Sequence, residues 1–430
     1  MPAVRTALFL AAFDSQLKWC GQIQREFVRR GYSTQVIVPD IRSALSEAQI
    51  RDAGFDGVER ASWDELLRIA IRSDVVVCGL SGPPTRTLCF ALAEQEAAGE
   101  QVRPVVITGW VGIIIEKLVA GYLDRCGSDL VAVNSALDLA LFRNAAQRLS
   151  VPDGNLALTG LPFLSLSPSP LRSDPIRRVL FADQPTVPDD RGERLYVYRQ
   201  LLRYAERHPD REVLLKPRHR PNEDTFHRMR HHPEDLLANA VRPANFQIDY
   251  TPISEILPTI DLLLTMSSTA CLEALDSGCR VGLVLDLGIH ERYGNQVFLD
   301  SGLLRTFSEI GDDDIGTPDP QWFSSFFFDR QGTAAALVAD RAEELLSTGY
   351  RPSREVWASA YFRSAASAHR ALNNGLGRKG RTPWTQAQQL DLQKWQRRHG
   401  PVRGTLAHVA TELLPPVLTR SLRRLVRRTG

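Results

Sequence analysis

Residues 261–288 read DLLLTMSSTACLEALDSGCRVGLVLDLG. Asp261 to Thr265 is an apolar run of strand length, Met266 to Thr269 is a small polar turn, and a helix begins at Ala270 that Gly278 ends. A second apolar run, Val281 to Leu285, follows at once, and a strand, helix, strand unit of this kind builds a parallel sheet. The hydroxyls of Ser267, Ser268 and Thr269 then sit where a strand's carboxyl end meets a helix's amino end. Unpaired N–H groups and the positive end of the helix dipole make such a place favourable to phosphate. Helix capping is the plainer use of these residues, but it needs only one hydroxyl. A capping box is also incomplete, because Cys271 follows Ser268 and Leu272 follows Thr269 where Glu or Gln belongs. Glu273, four residues after Thr269 on the same face, is placed to accept hydrogen bonds from a ribose while the hydroxyls hold the phosphate. A solvated Glu273 beside a simple cap remains the alternative.

Upstream, residues 212–224 read EVLLKPRHRPNED. The strand Val213 to Lys216 ends in a loop carrying Lys216, Arg218, His219 and Arg220. So many cations at the carboxyl end of a parallel strand repel one another unless an anion joins them; a solvated basic loop is the other reading. Arg178 to Ala182 and Phe246 to Ile248 read as further strands, and Leu195 to Arg207 as a helix. The basic loop and the Ser-Ser-Thr turn thus share one face of one domain and describe a phosphate-ester or diphosphate site. No metal ligand set is visible, and a charged His219 with the arginines would take a metal's place there.

The first half alternates strand and helix. Thr6 to Phe13, Thr34 to Pro39, Asp74 to Cys78, Val105 to Thr108 and Leu130 to Asn134 are the strands. Leu17 to Arg30, Leu88 to Ala98 and Ile113 to Tyr122 are the helices. This order is that of a doubly wound open sheet, whose ligands bind beyond the carboxyl ends of the strands, so the loops at Asp14, Ser81 and Gly109 line one cleft. Asp14 is either a helix cap or a general base that accepts a proton from an alcohol. In the loops 79–86 and 108–113, Gly82 and Gly109 let backbone approach a ligand, with Ser81 beside them. Trp110 offers a face on which a sugar can stack, or it packs between domains.

A chain of 430 residues exceeds one core. The run LPFLSLSPSPLRSDP, residues 161–175, has no periodicity and marks the boundary. The expected division is an amino-terminal Rossmann-like domain (1–165), a linker (166–175), a nucleotide domain (176–345) and carboxyl-terminal helices (346–430) packing back on the first domain. A charged content of 24% with net charge +2 excludes a polarised nucleic-acid binder. Cys20, Cys78, Cys89, Cys126, Cys271 and Cys279 lack CxxC spacing and read as buried thiols of a reducing compartment. No signal pattern is present and no apolar run reaches the ~18 residues of a membrane span, so a cytoplasmic protein is expected. Helices are expected from Ala335 to Leu346, Ser353 to Leu372 and Leu413 to Arg428. The last of these carries Arg420, Arg423, Arg424, Arg427 and Arg428 along an apolar stripe. It would lie on the anionic inner face of the plasma membrane, or else stay solvated or pack between subunits.

The run KPRHRP, followed by TMSSTACLEAL, resembles the paired motifs of bacterial sialyltransferases and polysialyltransferases, and also those of capsule and teichoic-acid polymer transferases. With GNQVFLDSGL at 294–303 and DSQLKW at 14–19, the chain is most similar to a family of glycosyltransferases of actinobacterial type, over residues 6 to 310. It departs from the sialyltransferase pattern at Arg220, which separates His219 from Pro221. The resemblance implies a GT-B architecture, an α/β fold of two Rossmann-like doubly wound domains facing across a cleft. It implies donor phosphate on Ser267, Ser268 and Thr269, ribose on Glu273, and His219 on the nucleotide or phosphate, assisting departure of the leaving group. Lys216 and Arg218 would neutralise charge there, and Asp14 would be the general base.

The implied activity is inverting, metal-independent transfer of a sugar to a cell-surface glycan or lipid-linked acceptor. A sialic or other ulosonic acid from a CMP donor is among the candidates, and no cofactor is needed beyond the nucleotide-sugar. Two other classes stay open. A sugar-nucleotide epimerase of the same fold would need more cleft carboxylates than Asp14 and Glu116. A non-catalytic nucleotide-binding protein would share the scaffold without the chemistry.

Overall fold

Runs such as Val75–Cys78 and Leu262–Thr265 are buried at every residue, so each must be covered on both faces. The structure, a computed structural model, describes residues 4–40, 45–99, 103–221, 223 and 229–375. Two parallel sheets meet that requirement. The first contains β1 (Thr6–Leu10), β2 (Ser33–Pro39), β3 (Glu59–Ala61), β4 (Val75–Cys78), β5 (Val105–Gly109), β6 (Leu130–Val133) and β7 (Leu156–Leu158) in the order β3-β2-β1-β4-β5-β6-β7. The second contains β8 (Arg178–Ala182), β9 (Glu212–Lys216), β10 (Phe246–Ile248), β11 (Leu262–Thr265), β12 (Arg280–Val284) and β13 (Leu304–Arg305) in the order β10-β9-β8-β11-β12-β13. The winding reverses between β1 and β4 in one sheet and between β8 and β11 in the other. Those two switch points are where open sheets of this kind bind ligands.

One face of the first sheet packs Phe9, Val77 and Ile107 against Leu17, Ile23 and Phe27 of the helix Asp14–Arg29. The same core contains Val338, Ala342 and Leu345 of the helix Ala334–Thr348, which Arg30 fastens through Asp340 at 2.7 Å and Glu343 at 2.8 Å. The boundary expected at 345 therefore falls inside a helix that covers the first sheet. The chain has already crossed back, and Arg330 marks the crossing by donating to the carbonyls of Thr159 (2.9 Å), Leu164 (2.8 Å) and Ser165 (2.9 Å). The Pro-rich stretch lies along the second domain, with the Ser165 N–H on Asp276 and the Arg172 N–H on the Gly278 carbonyl.

The helical pattern from Ser353 to Leu372 is two helices, Ser353–Ala358 and Ala360–Gly375, that break at Ser359. Val356 and Phe362 enter a core with Phe90, Tyr122 and Phe142 of the first domain. Buried Ser353 donates to Asp129 Oδ1 at 2.7 Å, and Asp129 pairs in a fork with Arg103 at 2.6 and 2.9 Å.

The helix expected from Ile113 to Tyr122 is instead Leu118–Arg125, because residues 111–117 are drawn out to meet the second domain. The first strand stops at Leu10 rather than Phe13. β3, β7 and β13, at three, three and two residues, are too short to show a periodic pattern. All six cysteines are buried and free. The basic helix expected over Leu413 to Arg428 lies outside the described residues. Among the described residues no helix is long and apolar enough to cross a membrane.

Candidate active site

After β1 the chain turns tightly, with Gln16 Oε1 accepting from the Ala12 N–H at 2.8 Å, and Asp14 becomes the first helical residue. Its side chain makes no cap. The carboxylate crosses the cleft to Arg218, accepting from Nε at 3.1 Å and from Nη2. Asp14 is 13% exposed and Arg218 is 44% exposed. Burial works to raise the Asp14 carboxyl, but the Arg218 guanidinium, the Ser15 N–H and Lys18 outweigh it and hold the group below the usual range. A second tie runs beside the first, from Ser46 Oγ to Glu223 Oε1 at 2.9 Å, with Glu223 also accepting from the Arg220 N–H at 3.0 Å. The basic loop after β9 thus bridges the two domains.

Within that loop the roles divide. Lys216 ends β9 half-buried, and burial pushes its ammonium down to about 8; Arg218 and Lys18 act in the same direction, against Asp249 and Asp52. His219 is 5% exposed, and its Nε2 accepts from the Met229 N–H at 2.9 Å. Its Nδ1 therefore carries the proton and donates to the Arg220 carbonyl at 2.8 Å. His232 donates in turn to the His219 carbonyl at 3.1 Å. Both ring nitrogens of His219 are committed to the shape of the loop. Arg220 lies over the Tyr250 ring at 4.5 Å, away from Arg218 and Asp14.

In the Ser-Ser-Thr turn each hydroxyl already has a protein partner. Ser267 is 1% exposed; its N–H donates to Gln184 Oε1 at 2.9 Å, its Oγ accepts from Gln184 Nε2 at 3.2 Å, and its hydroxyl donates to the Tyr293 carbonyl. Ser268 Oγ accepts from the Ala270 N–H at 3.2 Å, and Thr269 Oγ1 accepts from the Ile113 N–H of the first domain at 3.1 Å. What the turn offers a ligand is backbone, because the N–H groups of Ser268 and Thr269 have no acceptor among the described residues. Glu273 is half-buried, and its carboxylate has no hydrogen-bond partner among the described residues. Burial raises it, and Lys18 and Arg218 only partly offset that.

Sequence reasoning missed Lys18 and Gln184. Lys18 stands one turn after Asp14 on the same helix face, and its charge acts on Asp14, Lys216 and Glu273. Gln184 follows β8 at the switch point. It is held there by Arg194, which donates to the Gln184 carbonyl at 2.8 Å while paired with buried Asp183 at 2.9 and 3.0 Å.

The first-domain loops behave differently from expectation at one residue. Trp110 is 9% exposed, stacks on Phe142 at 4.9 Å, and lies under the Arg125 guanidinium at 4.6 Å. It belongs to the core of the first domain, not to the cleft surface or the domain contact. A Cβ on Gly109 would come within 2.7 Å of Trp19, so this glycine serves packing. Gly82 abuts the Asp124 carboxylate, and Ser81 is exposed at the helix start with no side-chain cap bond. Glu116 is exposed, and burial of part of its carboxyl raises it. On this flank the domains touch closely. A Cβ on Gly112 would lie 2.5 Å from Thr269 Oγ1, one on Gly294 (φ 69°) would lie 2.5 Å from Ile115, and Gln296 donates to the Ile115 carbonyl at 3.2 Å. Among the described residues no three His, Cys, Asp or Glu side chains form a metal-binding group.

The model of the family described as Putative glycosyltransferase (DUF6716) matches residues 7–345. The chain belongs to this family. Membership makes it an enzyme, a glycosyltransferase. The match spans both sheets, the bridging loop and the Ser-Ser-Thr turn. No curated protein matches the chain in sequence. Among solved structures, S. aureus MnaA with UDP is similar with a TM-score of 0.52 and 11% identity, over 80% of this chain and 97% of that one. The Methanocaldococcus jannaschii UDP-GlcNAc 2-epimerase in complex with UDP-GlcNAc and UDP is similar with a TM-score of 0.51 and 10% identity, over 79% of this chain and 100% of that one. At such identities the likeness shows the fold. This family member has the GT-B architecture, two parallel-sheet α/β domains facing across a cleft.

Proposed function

We propose that the chain transfers a sugar from a nucleotide donor to an acceptor hydroxyl, by direct displacement with inversion. The observation that carries this reading is the meeting of Asp14, Lys18, Lys216, Arg218 and Glu273 where the carboxyl ends of the two sheets face each other, beside the free N–H groups of Ser268 and Thr269. The N–H groups and the cations of Lys216, Lys18 and Arg218 hold the donor phosphate and take up the charge that grows on it as the glycosidic bond breaks. Glu273 accepts from the ribose hydroxyls. Asp14 takes the proton of the acceptor hydroxyl, whose oxygen attacks the anomeric carbon from the face opposite the departing phosphate. Ser267 and His219 act one step back, the first fixing the turn to Gln184 and the second fixing the loop that carries Arg218.

The cations supply the charge neutralisation that many transferases draw from a metal, which supports metal-independent transfer. Ser81 and Gly82 lie on the acceptor side. A cell-envelope glycan or a lipid-linked sugar, met at the inner face of the membrane, is the acceptor class we assign. CMP remains a candidate donor nucleotide, and UDP joins it because two proteins of the same fold are complexes with UDP. Epimerisation would ask a second group besides Asp14 to exchange protons with a sugar carbon, and the other carboxylate, Glu116, is exposed.

Thermal stabilisation by UDP, CMP, CDP, GDP and inorganic phosphate tests the reading. One nucleotide at about a hundredfold over its Kd should stabilise the protein by about 2.7 kcal/mol, and Lys216→Ala should abolish the shift. A protein that no nucleotide stabilises does not carry this site. Full transferase activity in Asp14→Asn would remove Asp14 as the base.

A further inference from the structure

The Asp14–Arg218 pair occupies ground that the reaction needs twice. A general base must have its carboxylate free for the acceptor hydroxyl, and an arginine that neutralises the leaving phosphate must have its fork free for phosphate oxygens. In the structure neither is free, since Arg218 donates through Nε and Nη2 to one Asp14 oxygen, and those are its only hydrogen bonds among the described residues. The guanidinium nevertheless has room to leave, being 44% exposed at the start of a loop whose backbone is held through His219 and Glu223 rather than through Arg218 itself. Around it stand Lys216, Lys18 and the unpaired Glu273.

We propose that Arg218 exchanges partners, holding Asp14 until the nucleotide-sugar binds and then passing to the donor phosphate, which releases Asp14 to the acceptor. This rests on the reading of the cleft as a donor site. A phosphate offers the arginine fork two oxygens and more charge than one carboxylate oxygen does. Lys216 and the N–H groups of Ser268 and Thr269 keep that phosphate nearby. With Arg218 gone, Asp14 loses the strongest of the influences that hold it down and keeps only the Ser15 N–H and Lys18 against its burial and the phosphate across the cleft, so the carboxylate becomes a better proton acceptor.

The step balances. The acceptor O–H proton passes to Asp14, the acceptor oxygen forms its bond to the anomeric carbon, and the anomeric carbon–oxygen bond breaks with its electron pair left on the phosphate that Arg218 now holds. Donor binding thereby comes first, and the base stays masked while the cleft is empty.

A double-mutant cycle tests the exchange. Wild type, Asp14→Asn, Arg218→Gln and the double variant are titrated calorimetrically with UDP, CMP and inorganic pyrophosphate at pH 7.5 and low salt. Thermal melts confirm that each is folded; Asp14→Ser and Arg218→Met build the same cycle should either first choice fail. Asp14→Asn is expected to bind the anion roughly 3–10-fold more tightly, because Arg218 no longer has to be taken from a carboxylate. Arg218→Gln binds more weakly, and in that background Asp14→Asn changes affinity less than about twofold. An equal gain in both backgrounds would mean simple repulsion by Asp14, and an unchanged or weaker Asp14→Asn would mean no competition. Either result overturns the exchange and leaves the donor site standing. No binding by any of the four proteins overturns both.

Discussion

Lys216 should report the donor phosphate through its own proton. Burial at the end of β9 brings its ammonium down to about 8, with Arg218 and Lys18 adding to the effect. A lysine of that value is about nine-tenths charged at pH 7 and about one-tenth charged at pH 9. A bound phosphate stabilises the charged form and so raises the group's value. Nucleotide affinity must therefore fall as pH rises, by roughly tenfold between pH 7 and 9, or about 1.4 kcal/mol. The nucleotide's phosphate does not contribute, because it has lost its second proton above about pH 7, and CMP, whose base does not titrate in this window, controls for the uracil imide of UDP. Titration of UDP and CMP at pH 7, 8 and 9 reads the slope directly. Lys216→Arg stays charged throughout and should flatten it. In the unliganded protein the same residue acts with the opposite sign. Its folded value lies below the unfolded one, so the unfolded chain binds the extra proton, and the contribution of Lys216 to stability improves as pH rises from about 8 toward 10. Affinity that is level from pH 7 to 9, or a fall that survives in Lys216→Arg, would refute the placement of phosphate beside Lys216.

Trp110→Ala should cost about 3–5 kcal/mol in urea unfolding, since it empties the stack between Phe142 and Arg125. A variant of unchanged stability that has lost only acceptor use would return Trp110 to the cleft surface. Glu273→Gln should weaken nucleotide binding several-fold while leaving pyrophosphate affinity unchanged, because its role is toward the ribose; equal losses would move it to the phosphate. Asp129→Asn removes the buried carboxylate that takes both Nη groups of Arg103 and leaves half-buried Glu96, 3.0 Å from Nε, as its counter-charge, which should cost about 3 kcal/mol. Hydrogen exchange should show the helix Ser353–Ala358 losing protection in that variant, since Ser353 hangs on the same carboxylate.

The frame of this molecule was legible because strands buried on both faces, such as Val75–Cys78 and Leu262–Thr265, leave unbroken apolar runs, and because Gly278 ends a helix with its φ of 75°. The place of the site followed from that frame. What local reading could not supply is how polar side chains are spent. Ser267 is committed to Gln184, 83 residues away, and Thr269 to Ile113, 156 residues away. No spacing within the turn encodes either bond. His219 looks like a catalytic group because it sits among cations, yet the Met229 N–H and the Arg220 carbonyl use both of its nitrogens. Lys18 was visible at four residues from Asp14, but a lysine on a helix face is ordinarily solvated. Only the folded cleft shows its charge acting on three site residues. The helix Ala334–Thr348 was likewise readable as a helix, while the sheet it covers depends on where Arg330 turns the chain back.

The two flanks of the cleft differ in what it costs to part them. On the flank of Gly112, Ile115, Thr269 and Gly294 the side chains of Thr269 and Ile115 press on the two glycines too closely to admit a Cβ, and Arg330 ties the two chain crossings through three carbonyls. Parting there breaks packed contacts together with hydrogen bonds that have no substitute in the site. On the other flank the ties are Arg218 with Asp14 and Glu223 with Ser46, partly exposed polar pairs each worth about 1 kcal/mol or less. Parting the domains therefore costs least at the polar flank, with the close-packed flank and the crossings as the pivot. That is also the flank where the proposed donor site places the phosphate's charge. Under the proposed exchange, the arginine that ties the domains through Asp14 ties them through phosphate instead, so donor binding replaces a tie between the domains rather than merely breaking it. The loop after β9 then stays bridged in both states, and only the oxygen at the far end of the bridge changes.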